Sequence, residues 1–155
     1  MIKIIHFLAM LMLVISSAKA QETLEYRCKN IKGFIFPKDW FILKSIESAD
    51  ERFTPSINDI NKAEYILKHK LGQIPHLKND NILKRTRRYI RQYVGFISKG
   101  NHKIIWINFL WSNKDLNARA NHDIINVMDG GDYYWNIEVD LTSETLGNIQ
   151  INGEG

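Results

Sequence analysis

Cysteine is almost missing from this chain: Cys28 is the only one in 155 residues, so no intramolecular disulfide can form. Past residue 20 there is also no apolar run near the ~20 residues that a bilayer-spanning helix requires. The excess of one charge sign is small. The formal net charge is +4, and it falls by two if Lys3 and Lys19 are removed with an N-terminal leader, so nucleic acid is not expected as a partner. His69, His76, His102 and His122 show no His-x-x-x-His or related ligand spacing, and they read as scattered surface histidines. A Gly-x-Ser-x-Gly elbow is missing, and Cys28 has no distinctive nucleophile context. No metal, cofactor or catalytic motif is therefore expected.

What is present begins with a leader. Lys3 supplies a positive start, Ile4 to Ile15 a short apolar core, and Ala18-Lys19-Ala20 a small-x-small cleavage pattern. Cleavage after Ala20 starts the mature chain at Gln21, leaving residues 21–155 as a single domain with no membrane anchor, exported to the periplasm or beyond. Cys28 lies well past the cleavage point, where it cannot carry a lipid anchor. It reads as a small, buried, inert thiol, with an intermolecular disulfide as the alternative in an oxidising compartment. A content of 45% hydrophobic and 11% aromatic residues is that of a chain with a core.

The pattern along residues 21–155 is α+β: one main helix packed on a curved antiparallel sheet of about four or five strands. Residues 24–46 read as one or two short strands around a turn, and 48–52 as a polar break. Thr54 and Pro55 then serve as N-cap and first helical residue. Ile57, Ile60, Ala63, Leu67, Leu71 and Ile74 make one apolar stripe, with Gly72 as the stop and 75–83 a polar connector. Tyr89 to Ile97 and Lys103 to Trp111 are strands of a hairpin. A two-residue Gly100-Asn101 turn sets Gly95 opposite Trp106 and puts Ile90, Val94, Phe96, Ile105, Ile107, Phe109 and Trp111 on the core face. A second hairpin, looped at Gly130-Gly131-Asp132, pairs Ile125 and Val127 with Ile137 and Trp135. Leu146 to Ile151 add a last short strand.

Several polar groups stand out against this frame. Glu64 lies beside the apolar stripe and needs a buried partner, such as Arg91, Gln92 or a tyrosine; the alternative is a general acid or base with a raised pKa. Asp129 and Asp132 flank two glycines as turn chemistry, with a calcium site as the alternative. Lys84, Arg85, Arg87, Arg88 and Arg91 form a solvated strand entrance or a patch for an acidic partner, glycan or lipid headgroup. The sharpest candidate is the sheet face away from the helix. There Tyr93, Trp106, Asn108 and Leu110, bordered by Arg91, form a partner-binding surface unless residues 34–43 cover it.

Phe53-Thr54-Pro55-Ser56 with Ala63-Glu64, Arg91-Gln92-Tyr93-Val94-Gly95, Ile105-Trp106-Ile107-Asn108, Asp129-Gly130-Gly131, Trp135 and Asn152-Gly153 resemble a group of small exported Gram-negative proteins of unassigned function. The resemblance covers most of residues 53–155 and implies no activity. The helix-then-meander order also resembles the cystatin-like arrangement, whose protease inhibitors carry a Gln-x-Val-x-Gly hairpin tip. Here Gln92-Tyr93-Val94-Gly95 is one residue shorter and lies mid-strand.

The sequence thus points to an exported binding protein for an unknown protein or envelope ligand. The alternatives are a small periplasmic hydrolase using Glu64 with Asp129 or Asp140, and a cystatin-like inhibitor. Processing is directly measurable: exported material should have an intact mass starting at Gln21 and stay in the supernatant after a salt wash. A mass that retains the leader, or persistent membrane association, would contradict that.

Overall fold

A computed structural model describes residues 22–42, 49–77 and 81–153. The cleavage residues Ala18, Ala20 and Gln21 lie outside the described residues, as does the segment 43–48. The fold is α+β. Its strands are β1 (Leu24–Cys28), β2 (Ile31–Phe36), β3 (Ala49–Phe53), β4 (Tyr89–Ser98), β5 (Lys103–Trp111), β6 (Tyr134–Asp140) and β7 (Thr145–Ile151). Its helices are α1 (Ile57–Lys70), α2 (Asn81–Arg85) and α3 (Lys114–Arg119). No described helix is long and apolar enough to cross a membrane.

The seven strands form one sheet in the order β1-β2-β4-β5-β6-β7, with β3 also paired to β4. This corrects the expected four or five antiparallel strands, because β2 runs parallel to β4. Strands β2 and β3 share one edge of β4, the first against Ile90 to Val94 and the second against Gly95 to Ser98. Arg52 bridges their junction, donating through Nε to Gly95 O (3.1 Å) and through Nη2 to Pro37 O (3.3 Å). The polar stretch read as a break is therefore a strand. Gly95 makes room for this strand, since a Cβ there would stand 2.8 Å from the Phe53 ring.

Helix α1 is capped two residues later than the Thr54-Pro55 reading, at Ser56. Ser56 accepts from Asp59 N (3.2 Å), and Asp59 accepts from Ser56 N (2.9 Å), a reciprocal capping box. Ile60, Ala63, Ile66, Leu67 and Leu71 are buried against the sheet, while Ile57 is largely exposed. The supposed polar connector also enters the core, since Leu77 and Ile82 are fully buried. Cys28 is exposed rather than buried, at the outer strand of the sheet.

The β4–β5 hairpin is one residue out of the expected register. Gly95 faces Ile105, and Val94 faces Trp106. Asn101 adopts φ 60°, and Ser98 N donates to His102 O (3.0 Å), so the loop has three residues, Lys99-Gly100-Asn101. Asparagine tolerates this left-handed conformation, which closes a three-residue loop that a two-residue reading overlooks. The slip exchanges the faces of one strand relative to the other. On the α1 side lie Tyr93, Ile105, Ile107, Phe109, Trp135, Ile137 and Val139. The opposite side carries Phe34, Phe36, Ile90, Val94, Phe96, Ile104, Trp106 and Leu110.

The second expected hairpin is absent. β6 pairs with β5 on one side and β7 on the other, with Phe109 opposite Trp135 and their rings stacked at 3.7 Å. Residues 112–133 instead form a strap over the second sheet face, bringing Ala120 and Ile125 into the core there. Gly130, at φ 94°, and the turn Gly131–Tyr133 lead into β6.

One glutamine amide anchors the strap. Gln92 Nε2 donates to Ala120 O (2.8 Å) and Asp123 O (2.5 Å), while its Oε1 accepts from Ile125 N and Asn108 Nδ2 (3.0 Å each). Asn108 Nδ2 also donates to Ile125 O (2.8 Å). All four hydrogen-bonding positions of the Gln92 amide are used. Gln92→Ala should lower stability by about 3 kcal/mol in urea unfolding, because several buried partners lose their bonds together. Hydrogen exchange should quicken at Ile125. An unchanged midpoint would mean that apolar contacts alone hold the strap.

Candidate functional site

The proposed sheet-face surface is not open to a partner. Tyr93 (0% exposed) and Arg91 (3%) point to the α1 side, while Trp106 (7%), Asn108 (6%) and Leu110 (1%) point to the strap side. The strap buries the last three. Trp106 donates to Asn136 Oδ1 (3.0 Å), and the remaining space among Trp106, Asn108, Leu110 and Ile125 is a cavity of about 10 Å³. That is room for no more than one water. Residues 34–42 contribute Phe34, Phe36, Trp40 and Ile42 to the same layer. Trp106 is core, as a tryptophan on a strand buried on both faces must be.

Glu64 finds the partners its position demands. Its Oε2 accepts from Arg91 Nη1 (2.8 Å) and its Oε1 from the Tyr93 hydroxyl (2.8 Å), all three groups being buried. Burial pushes the Glu64 carboxyl up, and the Arg91 charge with the two hydrogen bonds opposes this without cancelling it. The Tyr93 hydroxyl is pushed well above its ordinary value, first by burial and then by the neighbouring Glu64 charge. Arg91 Nη2 donates to Thr86 O (3.0 Å), and its guanidinium lies 5.1 Å from the Phe109 ring centre. Its buried Nε has no hydrogen-bond partner among the described residues.

The other carboxylates named for catalysis serve elsewhere. Asp140 contacts His102 Nδ1 at 2.5 Å and accepts from Thr142 N and Ser143 N. Burial pushes its carboxyl up, but these hydrogen bonds outweigh it and hold the group at about 2. Asp129 offers its backbone carbonyl to Asn152, and Asp132 contacts Arg85 (3.5 Å) while its carbonyl accepts from the Tyr89 hydroxyl (2.6 Å). Among the described residues, no three His, Cys, Asp or Glu side chains converge as a metal site. The segment Gln92 to Val94, compared above with an inhibitor loop, is fully buried in β4.

A different surface is open. A cleft of about 440 Å³ lies at the start of β4, lined by Asn30, Lys32, Arg87, Arg88, Trp111 and Ser112, with Tyr89 and Ile90 at its floor. The register explains the gathering: Lys32 pairs with Ile90, and Tyr89 pairs with Trp111, so three strands meet there. The turn Thr86–Arg88 precedes β4 and leaves Arg87 and Arg88 exposed. Ser112 N donates to Arg88 O (3.2 Å), fixing the start of the strap against this turn. The guanidinium carbons of Arg85 and Arg88 lie 5.7 and 5.9 Å from the Trp111 ring centre, within cation–π range.

This cleft is electrostatically one-sided. Residues 81–114 contain eight lysines and arginines and no aspartate or glutamate. Arg85 faces Asp132, but no carboxylate among the described residues lies within ion-pair distance of Arg87 or Arg88. Lys32 meets only Glu25, at 4.0 Å. The basic run was visible in the sequence, whereas Lys32 and Trp111 join it only through strand register.

Glu64→Ala should cost about 3–5 kcal/mol in urea unfolding, since it strands the buried Arg91 charge. Replacing both residues, as Glu64→Leu with Arg91→Leu, should recover much of that loss. Equal losses for the single and double variants would show that the pair is worth more than its burial costs.

In comparisons with known proteins the chain matches no family model, no curated protein and no solved structure.

Proposed function

We propose that this chain is an exported, soluble binding protein that engages an acidic envelope partner through the basic cleft at the start of β4. The observation that carries this reading is the convergence of Lys32, Arg87 and Arg88 around an open cleft with no lining carboxylate. Arg87 and Arg88 have no carboxylate within ion-pair distance among the described residues and Lys32 has only Glu25 at 4.0 Å, and like charges gathered in this way repel one another unless an anion offsets them. The aromatic floor adds to the case, because Trp111 holds the Arg88 guanidinium and lowers the entropy lost on binding. Export rests on the leader pattern at residues 1–20.

How the acids are used supports recognition over catalysis by the carboxylates named above. Glu64 is committed to Arg91 and Tyr93, and Asp140 to His102 and its own turn. Neither lines the cleft. Contact of this kind is electrostatic and weakens with added salt.

The mature protein, immobilised and exposed to envelope fractions, should retain material that elutes with salt. The double variant Arg87→Glu, Arg88→Glu should lose it. Lys99→Glu, at the exposed hairpin tip about 30 Å along β4, should not. Equal loss from both variants would assign the effect to net charge, and retention by the double variant would remove the cleft from consideration.

A further inference from the structure

Resting on the reading of the cleft as a binding site, we infer that its ligand is a phosphate monoester, presented by a small molecule or by a lipid headgroup. The donor set carries the argument. Arg87 and Arg88 are adjacent on one turn, and Lys32 reaches the cleft from the neighbouring strand β2, so three cations surround a single space. A carboxylate is a planar monoanion that one guanidinium fork can satisfy. Three cations around one space match a group with more charge and more acceptors. A phosphate monoester carries about −1.5 to −2 at pH 7 and offers three strong acceptor oxygens.

The remaining lining fits the same ligand. The Asn30 amide is a neutral donor at the rim on an exposed residue, while the Ser112 hydroxyl beside it donates to Asn117 Oδ1 (3.1 Å). The guanidinium of Arg88 is already placed beside Trp111, and its carbonyl is held by Ser112 N, so the turn that carries both arginines has little freedom to lose. A cleft of about 440 Å³ is within the range of small-ligand sites, large enough for a phosphate with a glycerol- or sugar-sized body. Tyr89 and Ile90 are buried beneath it and give that body an apolar floor.

The test is a titration of the labelled mature chain with inorganic phosphate and with glycerol 3-phosphate at constant ionic strength, followed by NMR. The Trp111 indole signal, assigned through Trp111→Phe, and the arginine side-chain signals should shift saturably. The double variant Arg87→Ala, Arg88→Ala should bind about tenfold more weakly or worse. Binding of glycerol 3-phosphate should strengthen as pH rises through about 6, where a phosphate monoester loses its second proton. Sulfate, whose charge is constant over that range, should show no such rise. Co-sedimentation with phosphatidylcholine vesicles containing phosphatidic acid, but not with phosphatidylcholine alone, would give the source as a lipid headgroup. Response to the free phosphates without co-sedimentation would give a soluble ligand.

Shifts reproduced by chloride, a sulfate response with the same pH profile, or undiminished affinity in the double variant would each overturn the phosphate assignment. If phosphate fails while envelope material is still lost from Arg87→Glu, Arg88→Glu, the cleft binds another kind of anion. If both fail, the cleft is not the binding site.

Discussion

Strand β4 is buried on both faces along Tyr89 to Phe96, yet its sequence places Arg91 and Gln92 side by side in that stretch. Adjacent strand residues point to opposite faces. Each polar side chain therefore needs its own answer from the layer above it, because a buried polar group without partners costs several kcal/mol. Arg91 is answered by Glu64 of α1 and Gln92 by the strap, so the two covering layers are each pinned to the sheet at its centre. Apolar contacts supply most of the stabilisation in both layers. They would tolerate sliding, whereas the two polar anchors hold each layer in one register.

The open cleft follows from where those layers end. At the start of β4 the chain emerges from beneath both covers, and the run of cations continues there as Arg87 and Arg88 without a covering acid. The same side-chain type thus has two roles three or four residues apart. Arg91 is enclosed and neutralised within the fold, and its neighbours before β4 are exposed with no carboxylate near them among the described residues. Trp111 marks the boundary. One edge of it packs on Tyr89 and Tyr133, while Arg85 and Arg88 stand over its ring. A binding surface at a strand end leaves the core intact, which a surface on the face of β4 and β5 does not.

Local patterns were readable where they depended on short-range chemistry. Lys103 to Trp111 is a strand over its whole expected length, the apolar stripe of α1 faces the sheet through Ile60, Ala63 and Leu67, and Glu64 pairs with two of the residue types its position called for. What was not readable depended on one backbone angle or on distant pairing. The positive φ of Asn101 lengthens a loop by one residue, and that slip reassigns the faces of the whole hairpin. The parallel β2–β4 pairing joins residues more than fifty positions apart, and nothing local announces it. The strap was misread as a strand because Ile125 and Val127 alternate with polar residues. In the structure that alternation comes from Ile125 packing under the strap while its own backbone bonds to Gln92 and Asn108.

The misplaced binding face and the observed cleft share one cause. Ile104, Trp106 and Leu110 on the same face of β5 signal an apolar surface that needs a cover, and that much was sound. A cover can be a partner or the chain's own segment, and apolar content does not distinguish them. The polar residues between do. Gln92 and Asn108 carry amides with both donors and acceptors, which suit the mixed donor and acceptor groups of a peptide backbone rather than an apolar partner surface. Placed opposite each other in register, they form a ready site for a strap of the same chain. Cations without acceptors, such as Arg87, Arg88 and Lys32, satisfy no backbone N–H and can be completed only by carbonyls or by an anion. Donor–acceptor balance therefore separates the two surfaces: the balanced one is closed by the protein itself, and the donor-only one is left open.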